Sequence, residues 1–93
     1  MKERICLRII FEGKVQGVHF REHIRKYAED LNIKGYVQNL SDKSVEIVAV
    51  SSEKVLDLFL KKNEEKPGFG SIDSLEKKHL FPCPEFESFK IKY

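Results

Sequence analysis

Tryptophan is missing from this 93-residue chain, methionine occurs once, proline three times and glycine five times. Neither a low-complexity tract nor a self-similar repeat of about 20–50 residues is present. The only cysteines are Cys6 and Cys83. They make no metal-ligand spacing with each other or with His19, His23 and His79, so no metal is expected. Free thiols are expected, with a Cys6–Cys83 disulfide as the alternative for an exported chain. No apolar run approaches the roughly 20 residues of a membrane span, and no apolar leader with a small-residue cleavage site opens the sequence. A cytoplasmic chain without a membrane partner is expected. Charge of one sign is scarce too: 17 Lys and Arg against 15 Asp and Glu leave a net charge of +2. That balance makes no case for nucleic acid and is compatible with a small anionic ligand. The length suits one domain, 1–93, with one hydrophobic core and no need of staples, and a monomer is expected.

What is present is periodic. Residues 5–12 alternate, with Ile5, Leu7, Ile9 and Phe11 on one side and Cys6, Arg8, Ile10 and Glu12 on the other. That is a strand with one face on a core and one largely facing water. Phe20, Ile24, Tyr27, Ala28 and Leu31 then form one apolar helical stripe, opposite Glu22, Arg25, Lys26, Glu29 and Asp30, which predicts a helix over 21–31. Short strands follow at 34–40 and 44–50, joined by a hairpin turn through Ser41-Asp42-Lys43. Ser51 and Ser52 are candidate N-caps of a second helix that buries Val55, Leu56, Phe59 and Leu60 and stops at Lys66-Pro67-Gly68. Ser71 to Leu80 reads as a strand with a bulge or an irregular start. Pro82 and Pro84 break the chain, and Phe89, Ile91 and Tyr93 alternate as a final short strand. The order is βαββαβ plus a short extra strand. This predicts an α+β, ferredoxin-like sandwich with two helices on one face of an antiparallel sheet, a fold that names no function by itself.

The stretch that carries chemistry is Gly13-Lys14-Val15-Gln16-Gly17-Val18-His19-Phe20-Arg21, between the first strand and the first helix. A glycine-bearing loop at a helix start directs backbone N–H groups and the positive end of the helix dipole at one place, which suits a compact anion. An arginine at the loop exit adds a planar donor fork that matches phosphate oxygens. These features predict a phosphate or carboxylate cradle, able to take a phosphate or sulfate ion. It is not a Walker-type loop, because no Gly-Lys-Ser/Thr follows.

The nonapeptide resembles the signature of the acylphosphatase family: a glycine, any residue, Val-Gln-Gly-Val, any residue, then Phe-Arg. Every fixed position is met. The family also carries an asparagine on the second strand, within glycine, aromatic, small apolar, any residue, Asn. Gly35-Tyr36-Val37-Gln38-Asn39 matches that pattern, and Asn39 shares strand parity with Val37. Two departures fall on expected turn positions, where the family tends to have glycine and this chain has Lys43 and Ser51. Residues 64–85 match only loosely.

The resemblance implies hydrolysis of the carboxyl–phosphate bond of acyl phosphates, without metal, cofactor or covalent intermediate. It implies that the N–H groups of Lys14, Val15, Gln16, Gly17, Val18, His19 and Phe20 and the Arg21 guanidinium hold the phosphoryl oxygens. Asn39 would orient the attacking water. His19 sits at the variable position and is expected to be a wall of the loop, and the Gln16 side chain a brace. Paired carboxylates, Ser-His-Asp sets and CxxC motifs are absent.

Two other readings stand beside this one. The domain could bind phosphate or a carbamoyl phosphate-like ligand without turning it over. Such domains occur inside larger maturation proteins, whereas the 93-residue length favours a free-standing protein. A ferredoxin-like sheet can also bind RNA through exposed aromatics, but Cys6, Arg8, Ile10 and Glu12 offer none.

Overall fold

A computed structural model describes residues 4–17, 19–68 and 70–93. The elements run β1 (Ile5–Lys14), α1 (Phe20–Asp30), β2 (Lys34–Asn39), β3 (Val45–Ser51), α2 (Glu53–Glu65), β4 (Ser71–His79) and β5 (Phe89–Lys92). The strands form one sheet in the order β4-β1-β3-β2-β5. The pairs β1–β3, β1–β4 and β2–β3 are antiparallel. The expected fully antiparallel sheet is amended at one edge, where β5 lies parallel to β2 with Phe89 opposite Gly35 and Lys92 opposite Gln38.

The reason lies in the connection. β4 and β5 occupy opposite edges of the sheet, so the chain between them must cross β1, β3 and β2. That crossing spans four strand spacings, about 19 Å, within the roughly 30 Å reach of nine extended residues. It begins where the Leu80 amide donates to the Cys6 carbonyl at 2.9 Å, at the start of β1. Leu80, Cys83 and Phe86 pack on Cys6, Val48, Val50 and Tyr36 as they cross. The crossing delivers the chain to the start of β2, and β5 then runs beside β2 in the same direction.

The helices cover the other face. Leu7, Ile9, Phe11, Val37, Ile47 and Ala49 of the sheet pack against Phe20, Ile24 and Ala28 of α1 and Leu56, Phe59 and Leu60 of α2. Ser52 caps α2 by accepting the Val55 amide at 3.3 Å. Ser51, expected in a turn, instead ends β3 opposite Ile5. Lys43 does take the left-handed conformation, with φ 74°. Among the described residues no helix is long and apolar enough to cross a membrane.

The face expected to meet water is partly closed. Cys6 is buried, and burial together with the neighbouring Cys83 thiol pushes its thiol up to about 12. Both cysteines are free. On the same face Glu46, only 6% exposed, accepts Arg8 Nε at 2.6 Å, Gln38 Nε2 at 2.6 Å and the Tyr36 hydroxyl at 3.1 Å. Burial acts to raise this carboxyl, but the hydrogen bonds from Gln38, Arg8 and Tyr36 outweigh it and hold the group below its usual value. Near the far end of β1 the β1–β4 register shifts between Glu12 and Gly13. Gly13 there has φ 136°, and a Cβ would overlap the Ser71 carbonyl oxygen and come within 2.8 Å of the Asp73 nitrogen.

Both features can be tested by unfolding. A carboxyl depressed in the folded state stabilises the fold above its unfolded value, and that contribution is lost as pH falls through the lower folded value. Glu46→Gln should therefore cost about 1–3 kcal/mol in urea unfolding at neutral pH. The gap to the parent should narrow once the pH drops below the carboxyl's ordinary value of 4.5. A gap that stays constant with pH would refute the assignment. Gly13→Ala adds both a backbone overlap and an unfavourable φ, whereas at Gly17, with φ 74°, an added Cβ would meet nothing within 4 Å. Gly17→Ala should thus cost about 1–2 kcal/mol, and Gly13→Ala clearly more in the same assay.

Candidate active site

Both ends of the loop between β1 and α1 are sunk in the core. Val15 is 1% exposed and Phe20 is 2% exposed, with the Phe20 ring edge-on to Phe11 at 6.0 Å between centroids. Between these anchors the backbone turns through Gly17 at φ 74° and His19 at φ 58°. His19 is the N-cap of α1, in left-handed conformation, and its side chain makes no cap hydrogen bond. The first intrahelical bond runs from the His23 amide to the His19 carbonyl at 3.2 Å. The amides of Phe20, Arg21 and Glu22 thus precede the helical ladder, and no side chain of the cap residue occupies them. An uncapped helix start is electrostatically suited to an anion.

A cleft of about 230 Å³ opens at this point, lined by Val15, Gln16, Gly17, His19, Phe20, Arg21, Glu22, Asn39, Ile91 and Tyr93. It lies at the ends of β1, β2 and β5, which all run the same way. The Arg21 guanidinium donates from Nη1 to the Lys92 carbonyl at 3.3 Å and sits 4.8 Å from the centre of the Tyr93 ring. One of its five N–H donors is used in that bond. Asn39, the last residue of β2, is half-buried, and its Oδ1 is buried without a hydrogen-bond partner among the described residues. An unpartnered buried acceptor costs about 1–3 kcal/mol.

Gln16 uses its side chain differently. Its Nε2 donates to the Leu40 carbonyl at 3.1 Å and to the Ser44 carbonyl at 2.9 Å, both in the β2–β3 turn. His19 is an exposed wall of the cleft, with Nδ1 4.0 Å from the Glu22 carboxylate. Of the other residues expected in the cradle, Lys14 closes β1 opposite Ser71 and is not among the cleft-lining residues. Val18 lies outside the described residues. The structure brings together Val15, Gln16, Gly17, His19, Phe20, Arg21 and Asn39. Glu22, Ile91, Tyr93 and the Lys92 carbonyl join them unforeseen. Glu22 could have been found from its place in the first helical turn. The others have no local signal, since they come from β5 and the residue after it, about 70 positions away.

Comparison with known proteins bears on this geometry. The acylphosphatase family model matches residues 7–91. The acylphosphatase of Archaeoglobus fulgidus is 42% identical over 89 residues, covering 96% of this chain and 99% of that protein. The crystal structure of acylphosphatase from Bacillus subtilis superposes with a TM-score of 0.90 at 29% identity, covering 96% of this chain and 99% of that one. An acylphosphatase structure from Coxiella burnetii gives a TM-score of 0.88 at 30% identity, over 96% and 93% of the two chains. With a match spanning nearly its whole length in sequence and in fold, the chain belongs to the acylphosphatase family.

Proposed function

We propose that this chain hydrolyses the carboxyl–phosphate bond of acyl phosphates, releasing a carboxylate and inorganic phosphate, with Arg21 and Asn39 as its catalytic side chains. The observation that carries the reading is their convergence. An arginine with free donors and an asparagine with an open buried acceptor share one cleft with an uncapped helix start.

The chemistry asks little more of the protein. A carboxylate leaving group has an intrinsic pKa of roughly 4, so it departs without a general acid. Phosphoryl transfer depends mainly on positioning and on stabilising charge spread over the equatorial oxygens. In this reading the loop amides from Val15 to Phe20 and the Arg21 guanidinium hold those oxygens. The Lys92 carbonyl and the Tyr93 ring keep the guanidinium in place. The Asn39 side-chain amide orients the attacking water, so that its lone pair faces phosphorus in line with the leaving oxygen. As the new P–O bond forms, the bond to the carboxylate oxygen breaks, and a phosphoryl oxygen accepts the water proton. No side-chain base takes part, and His19 remains a wall residue.

The family match across residues 7–91 supports an enzyme built on a single acylphosphatase-like domain.

Hydrolysis of benzoyl phosphate, with a chelator present, tests the reading. Arg21→Gln should lower kcat/KM by about 10²–10³-fold and weaken competitive inhibition by inorganic phosphate. Asn39→Ala should lower kcat by a similar factor while phosphate inhibition stays close to that of the parent. Folded parent protein without turnover above background would defeat the enzymatic reading and leave a phosphate-binding module. Loss of turnover in only one variant would reassign the other residue.

A further inference from the structure

The two halves of the cleft stand on strands that do not touch. The loop follows β1, Asn39 ends β2, and β3 lies between them. β3 begins only at Val45, which faces Phe11 on one side and Asn39 on the other. Beyond Phe11, β1 continues through Glu12, Gly13 and Lys14 with β4 as its remaining strand partner. Over that stretch no strand joins the loop side of the cleft to the Asn39 side. Two strand spacings, about 9–10 Å, would separate β1 from β2, and the ladder that fixes this distance stops at Val45.

One side chain crosses the notch. Gln16 Nε2 reaches both the Leu40 and the Ser44 carbonyls. These two carbonyls belong to a turn that is already braced. The Leu40 amide donates to the Ser44 carbonyl at 2.9 Å, and the Lys43 amide donates to the Leu40 carbonyl at 3.2 Å. Asp42 accepts both the amide and the hydroxyl of Ser44, which is itself buried. A rigid turn gripped at two points moves with the group that grips it. Leu40 is covalently next to Asn39, so the grip sets where the Asn39 amide sits relative to the loop.

We infer that the Gln16 side chain is a positioning residue, which sets the spacing between the phosphate-holding loop and Asn39 and so the angle of water attack. This rests on the role proposed above for Asn39. A shift of about 1 Å in such a geometry is enough to cost on the order of 100-fold in rate, while a phosphate held from the loop side alone would feel little of it.

The test uses Gln16→Met, an unbranched replacement without donors, and Gln16→Asn, whose amide is one methylene too short to reach both carbonyls. Each is compared with Asn39→Ala and with the double variant Gln16→Met/Asn39→Ala. Folding is checked by circular dichroism, and turnover is measured well below each thermal midpoint. Both Gln16 variants should lose about 10–100-fold in kcat, with benzoyl phosphate KM and the phosphate inhibition constant within about threefold of the parent. The double variant should be no slower than Asn39→Ala, because the position of an absent amide no longer matters. A merely structural role would instead weaken phosphate inhibition in step with kcat and multiply with Asn39→Ala, and either result overturns the inference. If Asn39→Ala keeps the parent's kcat, the Asn39 role fails and takes this inference with it. If Asn39→Ala is slow while a folded Gln16 variant keeps the parent's kcat, only the positioning role fails.

Discussion

The loop side of the site hangs on the burial of Val15 and Phe20. Two apolar side chains five positions apart, both sunk in the same core, tether the loop at its two ends. Fixing a residue's backbone costs about 1–2 kcal/mol, and burial of a large side chain contributes about 1.5–3 kcal/mol. The anchors thus offset much of the entropy lost in ordering the loop. They also set the first turn of α1, because Phe20 is its first residue and Arg21 its second. The guanidinium is therefore aimed by a buried phenylalanine beside it.

The sheet divides labour along the strand direction. Its middle carries stability, with helices on one face and, on the other, the Glu46 cluster and the 80–88 crossing. Its far end, where β1, β2 and β5 finish together, carries the cleft. β3 starts level with Phe11 and Asn39, and beyond that point no ladder joins its two neighbours. A glutamine side chain then does the joining that backbone hydrogen bonds do elsewhere.

Much of this could be read before any coordinates. Alternation over residues 5–12 identifies β1 and its core face, since strand parity depends only on local spacing. The stripe through Phe20, Ile24 and Ala28 does the same for α1. Ser71–His79 does form a strand with a register shift against β1, as its mixed spacing suggests. Asn39 is legible because parity with Val37 and its place at a strand end are both local properties. What stays hidden depends on partners. Phe89 and Ile91 alternate identically whether β5 pairs parallel or antiparallel, so its direction cannot be read. Cys6 looks exposed in sequence because its cover arrives from Cys83 and Phe86, and Glu46 looks solvated because its three partners come from β1 and β2. The motif puts Lys14 in the cradle, yet its pairing with Ser71 keeps it within the sheet. The turn glycine expected after β3 is unnecessary because Ser51 is still in the strand.

The 80–88 crossing also shapes how the molecule comes together in time. Arg21 is held by Lys92, 71 positions away, and that contact exists only after the chain has crossed the sheet and laid β5 beside β2. Contacts this distant in sequence are reached after their intervening loops close, and folds rich in them assemble slowly. A species with the helices packed and β1, β3 and β2 paired but β5 undocked would lack Phe89 from its core and leave Arg21 without the Lys92 carbonyl. Such a species would look nearly native by helix content and still lack the finished site. If β5 docks last, turnover would recover later in refolding than the helix signal does.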